Sequence, residues 1–253
     1  MDRFVEHIAH RGRVDDIGAG SGGLTSRSEH SEHSHGADRT GRAGTGHRNP
    51  VTPAGYCGSV TSTPRTRLLV VRHGRSEWNA QHRWQGLADI PLDDEGQRQA
   101  AQAAEVLGTF DGVWASDLQR ATLTAQIIAE LVGMGPVQID PRLRETDVGP
   151  WEGLDRNAVE AGWPGYLGAK MRPEGFEDYA AAAERVMAAF RDIAAAHRGG
   201  EVLIVSHGGV IRAVLREVAD IDPHIVNLAG CWFEVDAAGR IVAGDVVSLA
   251  PTE

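Results

Sequence analysis

"LLVVRHGRSE", residues 68–77, carries an apolar tetrad straight into an arginine, a histidine and a glycine. Together with Arg67 the run has the length of a buried strand, is too short for a helix, and ends in β-branched residues. A strand that stops on a cation and a titratable ring raises the question of what those two side chains serve. A second stretch answers to the same description: "LIVSHGG" (203–209) follows an apolar run with Ser206, His207 and two glycines before a helix-like segment.

The segments between these two alternate. The sequence predicts a helix over 93–108 stopped by Gly108, a strand over 112–116, and a helix over 117–133 opening on Asp117 as N-cap and ending at Gly133. A strand-like stretch follows over 137–143, then an irregular middle, a long helix over 175–200, a strand over 201–206 and a helix over 209–220. Two last strands, "CWFEVD" and "RIVAGDVVSL", flank the turn "AAGR". Such alternation argues an α/β domain with a mostly parallel central sheet and helices on both faces. In open sheets of this kind ligands bind beyond the carboxyl ends of the strands, where backbone amides and helix N-termini face a crevice. His73 and His207, each followed by a glycine that permits close backbone approach, Gly208 in the second case, are therefore expected to face each other across one pocket.

Residues 1–66 read differently, being rich in Gly, Ser, Thr and His without a sustained apolar period. Such a segment cannot bury enough to offset its ordering entropy, so a low-complexity tail is expected at 1–66 and a single domain at 67–253. Its "SEHSEHSHG" invites metal capture by His30, His33 and His35, though His-rich tails of this kind are more often incidental. The opening residues lack the apolar core of a signal peptide, and no later run is long enough to span a membrane, which predicts a soluble, cytoplasmic protein. Cys57 and Cys231 are too few for a disulfide framework or a zinc site.

The whole chain carries 25 basic against 35 acidic residues, a formal charge of −10. From Arg67 onward the count is 17 against 28, a balance of −11. Nucleic acid and anionic membranes reward a basic surface, so both are excluded as expected partners. An anionic small molecule would have to be drawn by a few local arginines.

Taken together, "RHGRSEWN", "QGLADIPLDDEGQRQA", "SDLQRATLTA", "LRETDVGPWEG" and "SHGGVIR" resemble, in order, the motif series of the histidine phosphatase superfamily, the phosphoglycerate mutase-like enzymes. The resemblance implies phosphoryl transfer through a phosphohistidine. It assigns His73 as nucleophile, Arg72 and Arg120 as phosphate ligands, His207 as a stabiliser of the transferring group, and Glu145 as general acid. It also brings Asn79 and Gln85 to the pocket lining, with Gly86 at a tight turn and Gly208 beside the second histidine. The chemistry fits: an imidazole nitrogen can split one hard displacement into two easier ones, and a guanidinium fork suits phosphate oxygens. Asn79 could equally cap a turn, and Glu152 reads as a supporting carboxylate. No metal or cofactor is implied.

Many relatives carry Gly-Glu-Ser before the long helix, where this chain reads "RPEGFEDY" (172–179), so Glu174 or Glu177 is the available substitute. Only the stretch from Pro150 to Gly175 separates "VGP" from that helix, short for a lid that would protect a phosphohistidine from water. The expected activity is therefore a phosphomonoesterase acting on a small phosphorylated metabolite. Cofactor-dependent mutase activity and a silent phospho-ligand binding protein are the alternatives, and a homodimer is left open. Within the middle segment Lys170 or Arg172 could meet a carboxylate or second anionic group.

Overall fold

The computed structural model describes residues 64–249. The tail expected at 1–66, apart from its last three residues, lies outside the described residues, as do its histidines and Cys57. The first strand, β1 (Thr66–Arg72), starts one residue before the expected boundary. Thr66 is buried, and its hydroxyl donates to the carbonyls of Ala194 and His197.

Five further strands complete one sheet: β2 (Gly112–Ala115), β3 (Gln138–Ile139), β4 (Glu201–Ser206), β5 (Ala229–Val235) and β6 (Ile241–Ser248). Their order is β3-β2-β4-β1-β5-β6. The first four are parallel, while β5 runs antiparallel to β1 and forms a hairpin with β6. The expected mostly parallel sheet is borne out.

Helices cover both faces because β1 and β4 are apolar on both sides, the signature of a doubly covered strand. Leu68 and Val70 pack with α5 (Tyr179–Ala196) and α6 (Gly208–Ala219). Leu69 and Val71 point the other way, onto α2 (Asp94–Val106) and α3 (Gln119–Leu131). On the first face Phe190 and Phe233 meet with ring centroids 5.3 Å apart, a pairing worth roughly 0.5–1.5 kcal/mol beyond the area it buries.

Several boundaries differ from the sequence reading, among them the long helix expected over 175–200, which spans Tyr179–Ala196. The strand expected over 137–143 shrinks to two residues because Pro141 has no N–H for a ladder and Asp140 caps a short 3-10 turn. Helix α3 begins at Gln119, with Leu118 rather than Asp117 at its N-cap, because both Asp117 carboxylate oxygens accept from Arg144. The short helices α1 (Glu77–Ala80) and α4 (Arg156–Gly162) lie outside the two main layers. The middle segment forms an aromatic satellite core: fully buried Trp151 packs with Val148 and Val159, ringed by Trp84, Trp163, Tyr166 and Phe176. No helix among the described residues is long and apolar enough to cross a membrane.

Candidate active site

Strand adjacency brings the two histidines together. Arg72 of β1 is in register with Ser206 of β4, and the next amide, that of His73, donates to the Ser206 carbonyl at 3.0 Å. Each chain then places a histidine one step beyond its strand, and the two rings meet at 5.2 Å between centroids.

His73 is 2% exposed, and its Nδ1 lies 2.6 Å from the Gly74 carbonyl oxygen. A carbonyl only accepts, so this contact assigns the proton to Nδ1 and leaves Nε2 as the nitrogen with a free lone pair. Burial, reinforced by the Arg120 and Arg72 charges, holds the ring well below the usual histidine range, and the Gly74 contact opposes this. The nucleophile candidate is thus neutral.

His207, fully buried at the N-cap of α6, is pushed down in the same way, first by burial and then by Arg120, His73, Arg72 and Arg185. Neither of its ring nitrogens has a hydrogen-bond partner. It lies behind His73, not on the cleft wall that the other site residues form.

That wall bounds a cleft of about 960 Å³ and includes Arg72, His73, Asn79, Gln85, Gly86, Arg120, Glu145 and Gly208. Arg120, in the first turn of α3, is fully buried and donates to the carbonyls of Ala88 and Gly86 at 2.6 and 2.9 Å, while its Nε is unpartnered. Burial lowers its pKa to about 10, against the pull of Glu145 and Asp89, so it keeps its charge at neutral pH. One turn along, the Thr124 hydroxyl donates to the Arg120 carbonyl and accepts from the Gly74 amide, linking the arginine's helix to the histidine's loop. Arg72 donates to the Ile225 carbonyl at 2.9 Å; its pKa too is lowered by burial, with Glu145 opposing.

Glu145 sits against the first turn of α6. Its Oε2 accepts from the Gly209 amide at 3.0 Å, and its Oε1 from the amides of Val210 and Thr146 at 3.1 and 2.8 Å. A Cβ on Gly209 would press on this carboxylate, so the second glycine of "SHGG" leaves room for it to sit against the first turn of α6. Arg185 of α5 holds the segment from behind, donating to the carbonyls of Arg142, Arg144 and Glu145.

Asn79 and Gln85 meet through Ser76. The Ser76 hydroxyl donates to Gln85 Oε1 at 2.8 Å and accepts from the Asn79 amide, while Asn79 Oδ1 accepts from the Ser76 amide, a capping box on α1. Asn79 both caps and lines the cleft. At Gly86 the φ of +52° favours glycine, and a Cβ there would press on Val148.

Glu177 does not reach the cleft: its carboxylate accepts from Arg185 Nε and Nη2 at 2.7 and 2.8 Å and from the Asp147 amide. Glu174 is exposed and is also absent from the wall. Phe176 and Tyr179 line the cleft at the start of α5. Glu152 accepts from the Ala88 amide, a supporting contact. Sequence reading missed Asn227, whose Nδ2 donates to the His73 carbonyl at 2.9 Å and to Asn79 Oδ1 at 3.3 Å. It lies in an irregular loop with no periodic signal.

Residues 68–234 match the model of the histidine phosphatase superfamily (branch 1). The chain belongs to that superfamily. It is 38% identical over 162 residues to glucosyl-3-phosphoglycerate phosphatase of Mycolicibacterium vanbaalenii, covering 58% of this chain and 72% of the relative. It is 36% identical over 160 residues to metal-independent phosphoserine phosphatase of Arabidopsis thaliana, covering 59% and 67%. Among solved structures, mycobacterial glucosyl-3-phosphoglycerate phosphatase in complex with VO3 superposes with a TM-score of 0.61 at 29% identity, over 73% of this chain and 99% of that one. This member of the superfamily has, among its described residues, no group of three or more His, Cys, Asp or Glu side chains placed to hold a metal ion.

Proposed function

We propose that this chain is a metal-independent phosphomonoesterase that hydrolyses small phosphorylated metabolites through a phosphohistidine on His73. The observation that carries the reading is the neutral His73 ring, its Nδ1 tied to the Gly74 carbonyl, beside the buried Arg72 and Arg120. The relatives named above, both phosphatases by name, support the reaction class.

In the first step Nε2 of His73 attacks phosphorus and the P–O bond to the alcohol breaks. Protonated Glu145 gives its proton to the leaving oxygen. In the second step water attacks the phosphohistidine, the P–N bond breaks, and Glu145 recovers the proton. Arg72 and Arg120 supply fixed positive charge to the equatorial oxygens in a site removed from water, where such charge counts most. We read His207, whose ring nitrogens have no protein partner and whose ring centroid lies 5.2 Å from that of His73, as a further donor to the same group once phosphate is bound.

Hydrolysis is preferred to mutase chemistry because the stretch from Pro150 to Gly175 is short for a lid that would shield a phosphohistidine from water, and much of it packs around Trp151. A cytoplasmic setting belongs to the same reading, supported by the buried free thiol of Cys231. The test is phosphate release from p-nitrophenyl phosphate in EDTA by the wild type and by His73→Ala. Turnover confined to the wild type, with a phosphoryl group trapped on His73 by rapid quench, is expected. Equal activity in both proteins sinks the reading.

A further inference from the structure

Three consecutive residues, His73, Gly74 and Arg75, carry the tip of β1 into the cleft, and each of their backbone polar groups has a partner. The His73 amide donates to the Ser206 carbonyl, the Gly74 amide to the Thr124 hydroxyl and the Arg75 amide to Gln99 Oε1. Of the carbonyls, that of Gly74 faces the His73 ring, that of Arg75 accepts from the Asp93 amide, and that of His73 accepts from the side chain of Asn227. Among the three side chains enlisted, only Asn227 also stands on the cleft wall.

The loop that supplies it, residues 220–228 between α6 and β5, is fastened to β1 on either side of this contact. The Ile225 carbonyl accepts from the Arg72 guanidinium, and the Leu228 amide donates to the Arg72 carbonyl at 3.1 Å. Leu228 is fully buried at φ +56°, in the left-handed region that leucine rarely adopts, and it is held there because Arg72 and Leu249 take both of its backbone groups. Strain beside Asn227 fits a side chain whose direction matters.

Backbone groups decide which way two amides point. The Ser76 backbone N–H can only donate, so the Asn79 atom it meets at 3.2 Å is Oδ1. The His73 carbonyl can only accept, so the Asn227 atom 2.9 Å from it is Nδ2. That same nitrogen reaches Asn79 Oδ1 at 3.3 Å, which spends both N–H groups of Asn227. With two donors on its oxygen, Asn79 keeps Nδ2 without a partner among the described residues, on a side chain of the cleft wall.

We propose that Asn227 is a positioning residue for phosphoryl transfer: anchored on the His73 carbonyl, it locks the Asn79 amide so that Nδ2 is turned into the cleft as a donor to the phosphate that His73 attacks. The proposal rests on the phosphomonoesterase reading and adds to it a residue that acts through Asn79. The one polar atom left to Asn227, Oδ1, is an acceptor, the wrong polarity for a phosphate dianion, so Asn227 is not itself a ligand.

The test is a double-mutant cycle on kcat/KM for p-nitrophenyl phosphate in EDTA, with Asn79→Ala, Asn227→Ala and the pair. Asn227→Ala should lose about tenfold, the worth of one well-placed hydrogen bond. The double variant should fall no more than about threefold below Asn79→Ala, because both changes remove one shared contact. The side-chain amide resonance of Asn79 should shift on adding inorganic phosphate to the wild type and stay in place in folded Asn227→Ala, a response that a purely structural role does not produce. Asn227→Asp keeps the shape without the donor, should lose at least as much, and carries the test where Asn227→Ala does not fold. Full activity in both Asn227 variants, losses that multiply in the double variant, or an Asn79 resonance unmoved by phosphate in the wild type overturns the role and, with the wild type still hydrolysing the ester, leaves the phosphatase standing. Failure of the wild type to turn over p-nitrophenyl phosphate removes the phosphatase reading, and this role with it.

Discussion

The Nδ1 of His73 lies 2.6 Å from the carbonyl oxygen of Gly74, the residue that follows it, so the ring that faces the cleft is locked by its own chain. Burial, then Arg120 and Arg72, holds this ring well below the ordinary histidine value, and it stays neutral where an unfolded histidine is already protonated. Because the unfolded chain binds the extra proton, the stability tied to this group is present above about pH 6.5 and is lost as pH falls from there toward the folded value. NMR titration of the His73 Cε1 resonance should show no midpoint near 6.5, and thermal stability should decline as the pH drops below it. A midpoint at or above 6.5 contradicts the environment described.

Glu145→Gln keeps the shape of the side chain and removes its ability to carry a proton. Turnover of alkyl phosphates should fall by roughly 10²–10⁴-fold, the usual worth of a positioned acid–base group. The loss should be smaller with p-nitrophenyl phosphate, whose leaving oxygen needs little protonation. Steady-state kinetics on the two ester types, compared side by side, provides the check.

Arg120→Lys preserves charge while surrendering the fork that reaches the Gly86 and Ala88 carbonyls. Inorganic phosphate should inhibit this variant at least about tenfold more weakly than the wild type, in line with the worth of a hydrogen bond to a charged group. Unchanged inhibition would place the phosphate elsewhere.

Arg185 is not itself on the cleft wall, yet it binds the carbonyls of Arg142, Arg144 and Glu145, on the segment that carries the site carboxylate. Arg185→Met should lower stability by roughly 1–3 kcal/mol for the acceptors left without a donor. It should lower kcat more than it raises KM, because the Glu145 carboxylate is displaced while Arg72 and Arg120, the proposed phosphate ligands, stay. Urea denaturation alongside kinetics separates the two effects.

What the sequence disclosed follows from how each residue advertises itself. The tips of β1 and β4 were legible because an apolar run that ends on Arg-His-Gly or Ser-His-Gly breaks its own pattern. Glu145 was reached through the resemblance alone, since nothing in "LRET" marks one carboxylate over its neighbours. Glu177 looked available for the pocket until Arg185, eight residues along the chain, claimed both its oxygens. Arg216 reads as an exposed helix residue, and only the packing of α6 against Tyr179 turns it toward the cleft. Asn227 was invisible, because a loop fixed by tertiary contacts has no period to read.

The pairing of β1 with β4 also sets when a newly made copy can act. Synthesis proceeds from the N-terminus, so His73, Arg72 and Arg120 leave the ribosome long before Ser206 and His207. Until β4 arrives, β1 has no parallel neighbour on that side, and the His73 amide lacks the carbonyl that anchors it. An unfinished chain therefore holds the proposed nucleophile, His73, and the proposed phosphate ligands, Arg72 and Arg120, without a site to put them in. Catalysis begins only once nearly the whole domain has been translated, so product formation by nascent chains of graded length would time the closing of the sheet.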